Sequence, residues 1–372
     1  MSECIDLLKK ASIEIIWSDS LGAKSFSIAV KSRLGYIVID PGVAEMQPSY
    51  PLPKERKKAL RREAVKKIEY YCSKAVAVII THYHYDHHLK VNDKDLDNPR
   101  NYILSSKYII VKNPNLYINE SQWFRAREFI DGVLKLEGRR LSNYLIEPPK
   151  NLIIEDPVIR LSEALSKDFG GYEGRRKELL KKGLDWFIKL INNLWSKKPW
   201  ISEGITLSNG SVILWGDGRS FTFDNVRIRI LDPWFHGVEY DRTGWVTPVI
   251  VRVGSIKVFY SSDVMGPIIE DYASYIARLK PDIVFLDGPP TYLFPYMLNR
   301  INLRRAIDNA ITIVKSKPKL IIYDHHLLRE WRWRERVKEV FEEATKEDVR
   351  IMTVAECLGR KPLIDELRSI NL

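Results

Sequence analysis

All seven histidines of the 372-residue chain fall in three places, and four of them lie in Thr81-His-Tyr-His-Tyr-Asp-His-His. Imidazole is the commonest protein metal ligand, so a chain this poor in histidine that gathers His82, His84, His87 and His88 around Asp86 reads as a metal site. His82 and His84 lie two apart on extended chain, so their side chains project to the same side and can hold one cation. Asp86 and His87 follow a turn and face a neighbouring position. One short segment can therefore serve two adjacent ions, roughly 3.5–4 Å apart as in dinuclear hydrolytic centres.

Such a loop must be delivered by something rigid. Ala-Val-Ala-Val-Ile-Ile at 75–80 is a short β-branched apolar run, which predicts a buried strand ending where the histidines begin. Ahead of it, Leu60, Ala64, Ile68 and Tyr71 recur at helical spacing while Lys and Arg fill the other face, predicting a helix over 53–72. Downstream, strands are expected at 255–261, 283–287 and 320–323, alternating with helices at 268–279 and 299–315. That alternation argues for an α/β fold.

The spacing His82, His84, Asp86, His87 matches in full the His-X-His-X-Asp-His signature of the metallo-β-lactamase superfamily, which the sequence resembles from about Asp19 to His326. The resemblance extends to Tyr36-Ile-Val-Ile-Asp-Pro-Gly, where Asp40 stands for the first aspartate of the family, although Asp-Pro-Gly is also an ordinary turn. It implies that His236, in Asp-Pro-Trp-Phe-His-Gly, completes the first ion's set. It also implies that Asp263 bridges both ions and that one of His325 and His326 completes the second set, family position favouring His325. Asp263 could alternatively cap the following helix. The implied centre is thus His82, His84, His236 and Asp263 on one ion, and Asp86, His87, His325 and Asp263 on the other. A lysine-rich archaeal branch of the superfamily shares the Ser20-Leu-Gly start and the Asp-His-His-Leu-Leu-Arg end, and it implies no substrate.

The resemblance implies a four-layer αβ/βα sandwich over residues 1–372, with the metals at the edge between two sheets. The distance from His87 to His236 exceeds what that core needs, so 92–200 is expected to be a helical insertion, with its longest helices at 121–144 and 173–195 and breaks at Pro148-Pro149 and Gly170-Gly171. Trp123, Phe124, Trp186, Phe187, Trp195 and Trp200 give it apolar weight, as a satellite core or as a lid over the metals.

A dinuclear centre of this kind implies hydrolysis by a metal-bridging hydroxide, oriented by Asp86, at a phosphorus or carbonyl centre. A phosphodiester is favoured over a thioester or lactone. His326 or Tyr83 would supply the leaving-group proton, with His326 otherwise supporting a ligand. His88 adjoins the motif as support or packing. Asp324 would accept from an imidazole N–H or cap a helix. The cofactors expected are two divalent ions, zinc first, with manganese or iron possible because nitrogen and oxygen ligands alone do not choose among them. Iron-dependent redox chemistry and a non-catalytic nucleic-acid-binding module are the other classes that remain open.

A net charge of +11 invites a nucleotide, RNA or DNA partner alongside small-molecule substrates. Yet only Gln47 and Gln122 represent glutamine while charged residues make up 29%, a composition that also suits a thermophile's surface ion pairs. No apolar run is long enough to span a bilayer and the N-terminal stretch has no cleavage pattern, which predicts a cytoplasmic protein without a membrane partner. Cys4, Cys72 and Cys357 are scattered and do not pair by spacing. Oligomeric state leaves no trace in the sequence.

Overall fold

Along the strand Gly35–Ile39, Ile37 and Ile39 bury on one face and Val38 on the other, the period-two alternation that pleated backbone imposes. The same division runs through both sheets of the computed structural model, which describes residues 2–370. The first sheet has seven strands in the spatial order Ile13–Ser18, Phe26–Ser32, Gly35–Ile39, Ala75–Ile80, Tyr108–Val111, Val212–Trp215, Ile205–Thr206. The second, also of seven, runs Ser220–Phe223, Val226–Ile230, Val249–Val253, Ile256–Tyr260, Ile283–Asp287, Leu320–Asp324, Ile351–Met352. Their facing sides meet in one core of Ile28, Ile79 and Ile110 against Ile228, Val251 and Phe285.

Helices cover the outer faces. Lys54–Cys72 lays Leu60, Ala64, Val65, Ile68 and Cys72 on the first sheet, with Tyr71 only half-buried. Glu270–Leu279, Arg300–Lys315 and Lys338–Lys346 bury Ile276, Ala306, Ile313 and Val340 against the second. Asn299 starts the middle helix by accepting from Asn302 N, which fixes its N-terminus one residue later than the expected 299. The result is the four-layer αβ/βα sandwich.

The segment 92–200 is not purely helical. Tyr108–Val111 lies within it and pairs in parallel with both Ala75–Ile80 and Val212–Trp215, so it is an interior strand of the first sheet. The helices follow it. Glu120–Lys135 stops before Gly138, which takes φ +71, and Leu141–Tyr144 is a separate 3-10 turn. Glu173–Leu190 runs on into a π-turn at Ile191–Trp195. Trp186 stacks on Trp245 at 5.6 Å, and Trp195 meets the same ring at 5.8 Å. Phe124, by contrast, is exposed. The helical segment therefore buttresses the short hairpin of Trp234–Phe235 and Trp245–Val246.

The cysteines also depart from expectation. Cys4 and Cys357 form a disulfide, with Cα atoms 5.7 Å apart, and Cys72 is free and buried. A sequence separation of 353 leaves no local spacing to betray the pairing. No helix among the described residues is long and apolar enough to cross a membrane.

Candidate metal centre

The β-branched strand Ala75–Ile80 ends at Thr81, and the loop after it is fixed from behind by Asp40. One carboxylate oxygen of Asp40 accepts from Thr81 N at 2.8 Å; the other accepts from Thr81 Oγ1 at 2.7 Å and Tyr260 OH at 2.8 Å and meets His87 Nδ1 at 2.8 Å. Gly42, just beyond, lies so close to the loop that a Cβ there would sit 2.1 Å from His88 N and 2.3 Å from His87 C. The glycine of Asp-Pro-Gly is thus required by contact with the metal loop. His236 directly follows the first strand of the buttressed hairpin, its N–H donating to Gly244 O at 3.0 Å. Asp263 leaves the turn after Ile256–Tyr260, and His325, with φ +62, follows Leu320–Asp324.

These turns bring the expected ligands into two adjoining groups. His82, His84, His236 and Asp263 offer ligand atoms all within 4.8 Å of one another, and so do Asp86, His87, Asp263 and His325. The Asp263 carboxylate stands between them. Its Oδ2 lies 3.4 Å from His82 Nε2 and 3.2 Å from His236 Nε2, while Oδ1 lies 2.8 Å from His87 Nε2 and 3.1 Å from His325 Nε2. His84 Nδ1 is 3.1 Å from His82 Nε2 and 3.2 Å from His236 Nε2.

Those separations test the fit. Ligand atoms held at about 2.0–2.2 Å from a common ion in tetrahedral or octahedral geometry lie roughly 3.0–3.5 Å apart. The Asp263 carboxylate is fully buried with four imidazole nitrogens turned toward it, which points the same way, since such a charge is costly unless cationic partners answer it. The residues fit two divalent ions sharing Asp263.

The outward nitrogens of several ligands are themselves held. His325 Nδ1 meets Asp19 Oδ1 at 2.8 Å, and Arg329 Nε donates to Asp19 Oδ2 at 2.6 Å. Arg329 Nη2 donates to Asp86 Oδ2 at 3.0 Å. His82 Nδ1 has the Thr81 and Ser262 hydroxyls, both at 3.3 Å. Such partners fix ring orientation and ligand basicity. His236 Nδ1 has none among the described residues.

His326 lies farther off, its Nε2 3.9 Å from Asp263 Oδ2, with Nδ1 held by Asp287 at 2.9 and 3.0 Å. Asp287, His325 and His326 also form a third group of potential ligand atoms. Asp324 serves the backbone: its Oδ1 accepts from Ser20 N and His325 N and from Ser18 Oγ, and its Oδ2 from Val354 N. Of its two expected roles, the imidazole N–H falls to Asp19 and Asp324 takes the cap, at the start of the 3-10 turn His325–Arg329. His88 packs against Tyr83, Tyr85 and Phe129, apart from the ligand groups. Tyr83 is fully buried, with its hydroxyl donating to Lys112 O, so it has no access to a leaving group.

Burial sets the electrostatics. It pulls His82 down to about 4, with the neighbouring His87 adding to the effect. Burial pulls on His87 too, but the Asp263 and Asp40 carboxylates outweigh it and raise that ring to about 10. Burial and the adjacent Asp263 push the Asp287 carboxyl well above the usual range.

Asp19, Asp287 and Arg329 contact the candidate ligands or their neighbours and are positions that spacing did not single out. Arg329 had a signal in its place four residues past His325, within the Asp-His-His-Leu-Leu-Arg run. Asp19 had none, because its partners His325 and Arg329 lie 306 and 310 residues away.

No family model matches the chain. The UPF0282 protein of Korarchaeum cryptofilum is 30% identical over 347 residues, covering 93% of this chain and 88% of that protein. The UPF0282 protein MJ1629 of Methanocaldococcus jannaschii is 28% identical over 353 residues, covering 94% and 92%. Among solved structures, the metallo-β-lactamase fold protein YhfI of Bacillus subtilis covers 92% of this chain and 94% of its own at 11% identity, with a TM-score of 0.41. With a relative 30% identical along almost the whole length of both proteins, the chain belongs to the UPF0282 family.

Proposed function

We propose that this protein is a dinuclear metal-dependent hydrolase acting on a phosphodiester. The observation that carries the reading is Asp263, whose two oxygens each face a separate set of histidines. When bound, two divalent ions would supply Lewis acidity and acidify a water at neutral pH. The chain's own residues do the rest. Three imidazoles, two of them held uncharged by burial, suit the first ion, and Asp86 with His87 and His325 suits the second. Arg329 and Asp19 keep Asp86 and His325 aimed inward. His326 is the group proposed to serve a leaving oxygen. Burial with Arg329 and His325 beside it holds the ring uncharged, and the Asp287 carboxyl, itself pushed well above the usual range, orients it through Nδ1 and leaves Nε2 facing the centre. The surplus of basic side chains favours an anionic substrate, a nucleotide or nucleic acid, in the cytoplasm.

The test is hydrolysis of bis(p-nitrophenyl) phosphate by metal-depleted protein reloaded with zinc, manganese or iron in turn, beside His84→Ala. Metal-dependent release that the variant lacks is the expected result. No release from protein carrying two ions per chain would overturn the phosphodiester reading and turn the search to thioesters, lactones and redox substrates.

A further inference from the structure

Four neighbouring strands of the second sheet, Ser220–Phe223, Val226–Ile230, Val249–Val253 and Ile256–Tyr260, bury one face in the core between the sheets. Where no helix lies over it, the other face is open. Pairing register places Thr222, Arg227, Arg252 and Lys257 in one row across it, and Ser220, Arg229, Ile250 and Phe259 in the next. Arg227, Arg229 and Arg252 are exposed, and none has an ion-pair or hydrogen-bond partner among the described residues. Not one Asp or Glu occurs within these four strands.

Like charges directly opposite on adjacent strands destabilise a sheet. A face that needed only solubility would mix signs, as the ion-paired helices of this protein do at Lys58–Glu55, Lys182–Glu178 and Arg304–Asp308. Here Arg227 stands opposite Arg252, which stands opposite Lys257. The patch is also concave, a depression of about 240 Å³ lined by Ser220, Thr222, the three arginines and Ile250.

An aromatic platform adjoins the cations. Trp234, half-buried, packs on Phe259 of the second row at 6.0 Å and stacks on Tyr272 at 4.1 Å, with half-buried Tyr275 at its edge. Beyond it opens a separate cavity of about 490 Å³, where Glu155, Glu163, Asp232 and Asp271 stand with Arg160 and Arg278, so the single-sign surface ends at the rings. Trp234 is two residues from His236 of the metal centre. Unpaired guanidinium groups in a shallow groove beside half-exposed rings are what a single-stranded nucleic acid requires: cations for the backbone and π-faces for bases.

We infer that this face is a docking track for single-stranded RNA or DNA. The inference rests on the phosphodiester reading for what happens to the strand, but the binding stands apart from it. Three neutralised phosphates on a single strand give a salt slope of about −2, so affinity should fall roughly 20-fold between 50 and 200 mM salt.

The experiment is fluorescence anisotropy of a labelled twelve-nucleotide single-stranded RNA. It uses the full chain carrying His84→Ala, so that cleavage plays no part, at about 50 and about 200 mM salt. The comparison is the same protein with Arg227→Ser, Arg229→Ser and Arg252→Ser added. Expected are a loss of at least about tenfold in affinity at low salt and a flattened salt slope in the added variant. Its melting temperature should not fall, because opposed like charges have been removed. Arg227→Ser alone, lowering the slope by about 0.7, serves if the triple variant does not fold. Equal binding with and without the arginines overturns the inference, and so does a preference for the matching duplex. Binding to vesicles of phosphatidylglycerol without binding to RNA overturns it as well. Intact RNA binding together with no hydrolysis of bis(p-nitrophenyl) phosphate by the metal-loaded wild type would sink the phosphodiester reading and leave the track standing.

Discussion

Replacing Asp19 with asparagine isolates the support of one half of the metal centre. The carboxylate gathers three groups: Ser25 N donates to Oδ1 at 2.8 Å, His325 Nδ1 meets the same oxygen at 2.8 Å, and Arg329 Nε donates to Oδ2 at 2.6 Å. An amide of the same shape keeps an acceptor for the first two but turns an N–H toward Arg329 Nε, which is itself a donor. Arg329 then loses one of its two carboxylate anchors and moves relative to Asp86, which it holds at 3.0 Å. No cavity is created, so the effect is one of charge and orientation. Loss of such an outer partner typically costs about 10–100-fold in metal affinity, or about 1.4–2.7 kcal/mol. We predict that this falls on the ion held by Asp86, His87, Asp263 and His325, while the three-histidine position keeps its affinity. The assay is the metal-to-protein ratio after dialysis against graded chelator, for wild type and Asp19→Asn. Unchanged occupancy at both positions, or an equal loss at both, would refute the reasoning.

Arg305 anchors a second buried charge network, donating to Glu270 at 3.0 and 2.7 Å and to Glu239 at 3.1 and 2.8 Å. Burial opposes the ionisation of both carboxyls, but Arg305 outweighs it and holds each below its ordinary value. A depressed folded-state value means that the stability is present above the ordinary glutamate value of about 4.3 and is lost as pH falls through the lower folded one. Arg305→Gln should therefore cost about 3–5 kcal/mol near neutral pH, with the gap from wild type closing in acid; denaturant titrations at the two pH values check this. The Cys4–Cys357 disulfide closes nearly the whole chain, and in chain-entropy terms such a loop contributes about 6 kcal/mol. Cys357→Ser should lower the denaturant midpoint accordingly, and a midpoint equal to that of oxidised wild type would contradict the role assigned to the bond.

The parts of the site that could be read in advance are those coded by neighbours along the chain. His82, His84, Asp86 and His87 share one loop, and the apolar strand Ala75–Ile80 announces where that loop begins. Asp263 and His325 were legible only through the resemblance, which places each just after a strand-like run. Tyr108–Val111 was hidden for the opposite reason: four apolar residues between polar turns carry too short a pattern to separate an interior strand from the surrounding helices. Asp19, Asp287 and the disulfide depend on three-dimensional neighbours hundreds of residues apart or on the next strand of a sheet. No period in a sequence records such a contact. Arg329 stood in plain view as the last letter of a shared run, but only the fold shows that it faces inward toward Asp19 and Asp86.

Gly42 has a consequence for sequence variation across relatives. The backbone of His87 and His88 occupies the space where a side chain at that position would stand. A homologue with any other residue there must carry its metal loop elsewhere. The identity of that single letter therefore reports whether a distant sequence keeps this ligand geometry, independently of the histidines themselves, since a protein can retain all of its ligands and still have lost the backbone register that aims them.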